Sequence, residues 1–258
     1  MSVLSHLQNT ADSIKIQDSE RTAIDTSISS LSSKLYSYFD NIESKFVFGS
    51  YDRRTILRRS KDANSDVDYM VVFSDGSSWT PQTLMNRLKR FAEAKYSRSE
   101  IYQSSPTVVL ELNHIKFELA PAYKNSWGTL YIPAPASDYS DWISTYPNTL
   151  KDALNEKNRN HQYLIRKLVR LMKYWNVNNG KVYSSYELEK YVIDKSFWLC
   201  SNLKEYFYSA VEGLDTWNLA QYKKDKVNRL KEIVTKTKDY ERNNMPISAE
   251  SEIKKAIP

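Results

Sequence analysis

The chain has 258 residues, 41% apolar and 26% charged, with 37 Lys and Arg against 31 Asp and Glu and a formal charge of +6. That length supports one two-lobed unit with a sizeable core, and the basic balance suits a polyanionic partner such as a nucleoside triphosphate or nucleic acid without choosing between them or a merely basic surface. A single cysteine, Cys200, excludes an intramolecular disulfide framework, and one cysteine with three scattered histidines argues against a zinc site. No stretch approaches the roughly 18 apolar residues of a membrane span, and no basic segment precedes a long apolar run. A cytoplasmic location without a membrane partner is therefore expected.

In chain order, Ile24, Ile28, Leu31, Leu35 and Tyr38 recur at spacings of four and three, which predicts one long amphipathic helix before the first strand. Phe46-Val47-Phe48 predicts a strand. Gly49-Ser50 follows as a turn into a short helix, where glycine lets the backbone approach a phosphate and serine offers a hydroxyl and an N–H. Arg53, Arg54, Arg58, Arg59 and Lys61 come next and are expected near substrate. Ser65-Asp66-Val67-Asp68 then leads into Tyr69-Met70-Val71-Val72-Phe73. Acids one residue apart on a strand share a face. They repel unless they share a proton or are bridged by cations, and a pair of Mg²⁺ ions is the common solution in phosphoryl chemistry. A helix is predicted from about Pro81 to Lys95, with Leu84, Leu88 and Phe91 on one face. Val108 to Pro121 reads as two strands joined at Asn113-His114, the second carrying Glu118 as a third carboxylate.

Pro133, Pro135, Ser137 and Asp138 mark a loop, beyond which the pattern is helical, most clearly from Leu150-Lys151 through Trp175. The expected division is 1–145, a spine helix with a strand-rich catalytic lobe, and 146–258, a helical lobe. Within the latter, Arg166, Arg170 and Lys173 fall on one helical face and Leu164, Leu168, Leu171, Met172 and Trp175 supply an apolar one. Ser185-Tyr186 opens the next helix and reads equally as a phosphate and base contact or as a Ser N-cap followed by a core Tyr. Lys223, Lys224, Lys226, Arg229 and Lys231 read as a solvated helical face, Cys200 as a small buried apolar residue, and His114 and His161 as structural.

Gly49-Ser50-Tyr51 with Thr55, then Asp66-Val67-Asp68, then Glu118-Leu119-Ala120-Pro121-Ala122 resemble the polymerase-β-type nucleotidyltransferase core in its oligoadenylate-synthase and cyclic GMP-AMP-synthase branch, and within it the bacterial CD-NTases. Tyr131-Ile132-Pro133, Trp142 with Pro147, the helix Leu164 to Asn176 and Ser184 to Glu189 continue the likeness in order, so nearly the whole chain is covered. The resemblance implies an α+β fold, with a mixed-sheet nucleotidyltransferase core, a C-terminal helical lobe and a long N-terminal spine helix.

It also implies two Mg²⁺ ions, replaceable by Mn²⁺, held by the catalytic residues Asp66, Asp68 and Glu118, with Gly49, Ser50, Thr55, Lys173, Ser185 and Tyr186 contacting nucleotide. ATP, GTP, CTP or UTP would be joined into a cyclic di- or oligonucleotide messenger in anti-phage defence, read by a downstream effector protein. Nucleic-acid binding is allowed but not required. Two departures stand out: Glu118 replaces the family's usual Asp, and Ala249 to Pro258 lacks the tryptophan and Phe-Gly step of many relatives. Two alternatives remain, the same chemistry on a tRNA 3′ end or a protein acceptor, and a catalytically silent nucleotide-binding module on the same fold.

Overall fold

A computed structural model describes residues 2–134 and 141–258; Pro135, Ser137 and Asp138 of the expected loop lie outside the described residues. The first half runs α1 (Val3–Ser13), α2 (Asp18–Tyr38), β1 (Ile42–Phe48), α3 (Gly49–Asp52), β2 (Asp66–Phe73), α4 (Pro81–Lys95), β3 (Glu100–Ser104), β4 (Thr107–Glu111), β5 (Lys116–Lys124), β6 (Leu130–Pro133) and β7 (Trp142–Thr145). Helices follow: α5 (Pro147–Asn160), α6 (Ile165–Asn178), α7 (Ser185–Asp194), α8 (Leu203–Glu212), α9 (Gln221–Arg242) and α10 (Pro246–Ile253). Contacts divide the chain into two compact units, Ile16–Lys151 and a discontinuous one that joins the residues up to Lys15 to Asp152–Pro258.

The strand unit is one mixed sheet in the order β1-β2-β5-β4-β3, with β6 paired to β5 and β7 to β6. Alternation along the strands sorts the sheet into two faces. Val67, Tyr69, Val71 and Phe73 of β2, Phe117 and Leu119 of β5, and Val108 and Leu110 of β4 form the larger core, which α2 covers with Ile24, Leu31 and Leu35 and α4 with Leu84, Met85, Leu88, Phe91 and Ala92. Met70, Val72, Ala120 and Ala122 face the other way, packed by Phe46, Phe48, Leu130 and Ile132. α4 starts where its sequence directs: the Thr80 hydroxyl accepts the Thr83 N–H at 3.2 Å and Pro81 occupies the first turn.

Several expectations are corrected. The N-terminal residues do not all belong with the strands. α1 precedes the long helix as a separate element, buries Val3, Leu7 and Ala11, and packs on α6, α8 and α10, with His6 Nε2 within 2.7 Å of the Ile257 carbonyl. The passage beyond the loop opens on a strand, β7. The helical stretch to Trp175 is broken between α5 and α6, where Gln162 and Tyr163 take successive left-handed φ of 52° and 62° and the Tyr163 N–H folds back to the Asn158 carbonyl at 2.7 Å. Within its unit α6 is packed by α1, α7 and α8. Arg170 and Lys173 are buried, and burial lowers Arg170 to about 10.

The late basic cluster is also not a plain solvated face. Lys223, Lys226 and Lys231 donate to the carbonyls of Val182, Asn179 and Leu214 at 2.9, 2.7 and 2.7 Å, satisfying acceptors just past the ends of α6 and α8. Cys200 is half-buried in a loop and is not a core residue. No helix among the described residues is long and apolar enough to cross a membrane.

Leu31 is fully buried beneath the sheet whereas Leu199 is fully exposed. Leu31→Ala is expected to cost about 2–5 kcal/mol in urea unfolding, while Leu199→Ala stays within about 0.5 kcal/mol of the parent.

Candidate functional site

The site is set by two neighbouring parallel strands. β2 and β5 pair with Asp66 opposite Lys116 and Asp68 opposite Glu118, so period-two alternation puts all four side chains on the face away from α2 and α4. On the other side of β2, Phe48 of β1 is opposite Asp68, and Gly49 follows it with φ of +69°. A Cβ there would lie 1.7 Å from Asp68 Oδ2. Only glycine lets the backbone pass this carboxylate, and the Ser50 N–H donates to it.

The turn is held from below. The Ser50 carbonyl accepts the N–H groups of Thr55 and Ile56 at 2.9 and 3.1 Å and the Thr55 hydroxyl at 3.4 Å. Thr55 is fully buried, which makes it a support of the loop. Three ties fix the flanks: the Tyr51 hydroxyl donates to Asp25 of α2 at 2.7 Å, Lys151 pairs with Asp52 at 2.9 Å, and Arg58 pairs with Glu20 of α2 at 3.2 Å. Burial and Asp25 together raise the Tyr51 phenol well above its ordinary range, so it stays a donor.

Electrostatically the face is an acid cluster with a lysine inside it. Burial first, then the charges of Asp66 and Glu118, push Asp68 up to about 7, against the pull of Arg53 and the Ser50 N–H. Lys116 Nζ lies 3.5 Å from Asp66 Oδ2 and 3.2 Å from Glu118 Oε1. Burial alone would lower this ammonium, but Asp66 and Glu118 outweigh it and raise its pKa above the ordinary lysine value. Thr107 Oγ1 reaches Glu118 Oε2 at 3.5 Å, a long contact.

The donor set fits a hard divalent cation, since it offers carboxylate oxygens without imidazole or thiolate, and the strain on Asp68 is of the kind a cation relieves. Among the described residues no group of three or more His, Cys, Asp or Glu side chains is gathered to hold a metal, and the Lys116 ammonium lies 3.5 Å from Asp66 and 3.2 Å from Glu118.

The strand unit thus brings together Gly49, Ser50, Asp66, Asp68 and Glu118. Lys173, Ser185 and Tyr186 belong to the helical unit. There Lys173 is buried, Ser184 is the N-cap, accepting the Glu187 N–H at 3.1 Å, and Tyr186 is 57% exposed, not a core residue. One residue of the site went unread in sequence, Lys116, whereas the buried Arg53 belongs to the basic cluster expected near substrate. Lys116 carried a signal, because it stands two residues before Glu118 and so must share its face.

A carboxyl whose folded pKa lies above its unfolded value favours the folded state when protonated. The contribution of Asp68 is therefore complete below pH 4 and is lost as pH rises to about 7. In chelator-containing buffer, Asp68→Asn is expected to abolish this loss. The mutant should gain on the parent between pH 4 and 7 by up to about 4 kcal/mol in urea unfolding, and a constant difference across that range would refute the assignment.

Against known proteins, residues 1–158 match the family model described as the Second Messenger Oligonucleotide or Dinucleotide Synthetase domain. A probable cyclic nucleotide synthase of Bacillus cereus (strain VD146) is 26% identical over 191 residues, 58% of this chain and 56% of that protein. The chain therefore matches little more than half the length of that curated relative. The structure of CdnC from E. coli MS115-1 with ATP superposes with a TM-score of 0.72 at 12% identity, covering 98% of this chain and 97% of that one. Vibrio cholerae DncV cyclic AMP-GMP synthase with nonhydrolyzable GTP gives 0.66 at 14%, covering 83% and 68%. At such identities these two speak for the fold, the polymerase-β-like α+β arrangement that the resemblance implied. With its first 158 residues matched by the family model and its fold shared with CdnC and DncV, the chain belongs to the Second Messenger Oligonucleotide or Dinucleotide Synthetase family, the CD-NTases.

Proposed function

We propose that the chain is a divalent-cation-dependent nucleotidyltransferase that joins nucleoside triphosphates into a cyclic di- or oligonucleotide. The observation that carries this reading is the closure of the Gly49-Ser50 backbone onto Asp68, with Asp66 and Glu118 on the same face. A phosphate-approaching turn has no use for half-buried acids unless positive charge joins them, since the acids alone would repel the ligand. The proposed ligands are Asp66, Asp68 and Glu118. When bound there, divalent cations supply a lowered pKa for the attacking ribose hydroxyl and charge stabilisation for the departing pyrophosphate.

The chain's own groups do the rest. Gly49 and Ser50 form the cradle for the phosphates, with the Ser50 hydroxyl as a donor beside the N–H that holds Asp68, and the buried Thr55 fixes the turn that aims it. Glu118 is suited to accept the acceptor hydroxyl's proton. Lys173, Ser185 and Tyr186 are proposed as nucleotide contacts on the resemblance alone. The matched B. cereus protein, named a probable cyclic nucleotide synthase, supports a cyclic product. A cytoplasmic role in anti-phage defence, with an effector protein that reads the product, follows from the resemblance as part of the same proposal. The lysine between two of the acids favours one second reading, a catalytically silent nucleotide-binding module.

Incubation of the purified chain with labelled ATP, GTP, CTP and UTP and Mg²⁺ or Mn²⁺, followed by phosphatase, decides. Phosphatase-resistant oligonucleotide is expected, and none from the Asp66→Ala, Asp68→Ala double mutant; product that survives in that mutant would refute the mechanism. Nucleotide bound without Mg²⁺ and no product formed would favour the silent module. Gly49→Ala, whose Cβ would displace Asp68, is expected to lower the rate roughly a hundredfold in the same assay.

A further inference from the structure

Lys116 is neither a surface lysine nor an isolated ion-pair partner. It opens β5 directly opposite Asp66, two residues before Glu118, and the strand pairing holds it on the acid face. Its side chain is only 15% exposed, against 28% for Asp66 and 25% for Glu118, and its ammonium lies within 3.5 Å of one and 3.2 Å of the other. A lysine on the solvated rim, such as Lys124 with Glu43, is 33% exposed and pairs at 2.9 Å. Glu111 of β4 stands opposite Lys116 in register and pairs with Arg59 at 2.7 Å, Asp68 and Arg53 lie beside the acids, and Tyr102 of β3 stands close enough to act on Lys116 electrostatically. Thr107 from β4 reaches the second oxygen of Glu118.

These observations bear on what happens when a cation approaches. Three carboxylates carry up to three negative charges, and Lys116 offsets one of them from inside the cluster. A divalent ion that draws on Asp66 and Glu118 must share those oxygens with an ammonium at contact distance, and like charges that close repel strongly in a partly buried site. Glu118 has one methylene more than aspartate, so it has the reach to serve the lysine or to turn from it without moving β5.

We propose that Lys116 is a positioning residue that competes with a divalent cation for Asp66 and Glu118, so that metal binding requires the lysine to yield. The inference rests on the metal-site reading above. It adds that the affinity of this site for metal is set by a residue of the chain that is not itself a ligand. Replacing the ammonium by a neutral side chain removes the competitor and strengthens metal binding, whereas keeping the charge as arginine preserves the weakness.

The test is Mn²⁺ titration calorimetry on the full chain without nucleotide, for the parent, Lys116→Met, Lys116→Gln, Lys116→Arg and the Asp66→Ala, Asp68→Ala double mutant. Lys116→Met and Lys116→Gln are expected to bind Mn²⁺ roughly tenfold more tightly or better, and Lys116→Arg like the parent. Equal or weaker binding in both neutral variants would overturn the proposal while leaving the metal site standing. Binding undiminished in the double mutant, or absent from every protein, would overturn the metal-site reading and this proposal together. Should the neutral variants fail to fold, the parent answers alone. Acylation of Lys116 by an amine-reactive reagent, read by peptide mass spectrometry, should rise when Mn²⁺ is added and not in the double mutant, and acylation unchanged by Mn²⁺ would overturn the proposal.

Discussion

The parallel pairing of β2 with β5 is the constraint on which the rest of the strand unit depends. A slip of one residue in β2 would turn Asp66 and Asp68 toward α2 and α4 and expose Val67, Tyr69 and Val71 on the other face. Burying two unpaired carboxylates in that core would cost several kcal/mol each (on the order of the penalties for buried ions). The apolar face therefore enforces the polar one: Phe117 and Leu119 pin the register at which Lys116 and Glu118 stand beside the aspartates. Hydrophobic burial, which has no directional preference of its own, thereby aligns four charged groups with ångström accuracy.

α2 transmits the same order to the turn at Gly49. Its buried residues Ile24, Leu31 and Leu35 fasten it to the sheet, and its polar residues Glu20 and Asp25 hold Arg58 and Tyr51 on either side of the turn. Glu20 also accepts the Gln17 N–H at 2.8 Å, closing the helix start. One helix face thus builds core while its first turns brace the loop that meets Asp68. In the helical unit the economy is different: charged side chains such as Arg170 and Lys173 lie inside, and lysines of α9 satisfy carbonyls left open past other helices.

Much of this was legible in the sequence because it rests on short-range periodicity. The alternation of Asp66-Val67-Asp68, the four-and-three spacing from Ile24 to Tyr38 and the Gly49-Ser50 turn each carry their own local cause, and the elements stand where those causes put them. What could not be read depends on contacts between distant residues. Nothing near Lys223 or Lys226 reveals that Val182 and Asn179 will present carbonyls to them. Periodicity gave Arg170 and Lys173 one face but not the identity of what would cover it. Lys116 differs, because its place beside Glu118 follows from period two alone. Its type conceals it, because an ammonium is not a metal donor, although that is the very property that matters when the surroundings are acids. The break at Gln162 and Tyr163 had no glycine or proline to announce it.

The division of the chain into one continuous and one interrupted unit has a consequence for biosynthesis. Residues Ile16–Lys151 form one compact unit of consecutive chain, whereas α1 leaves the ribosome before that unit yet packs on α6, α8 and α10, which emerge after it. Until then its apolar residues Val3, Leu7 and Ala11 have no native partner. The strand unit can thus mature during translation, while the helical unit assembles only afterwards, through contacts of very long sequence separation that close slowly. A chaperone acting on this protein during synthesis would find a client in α1.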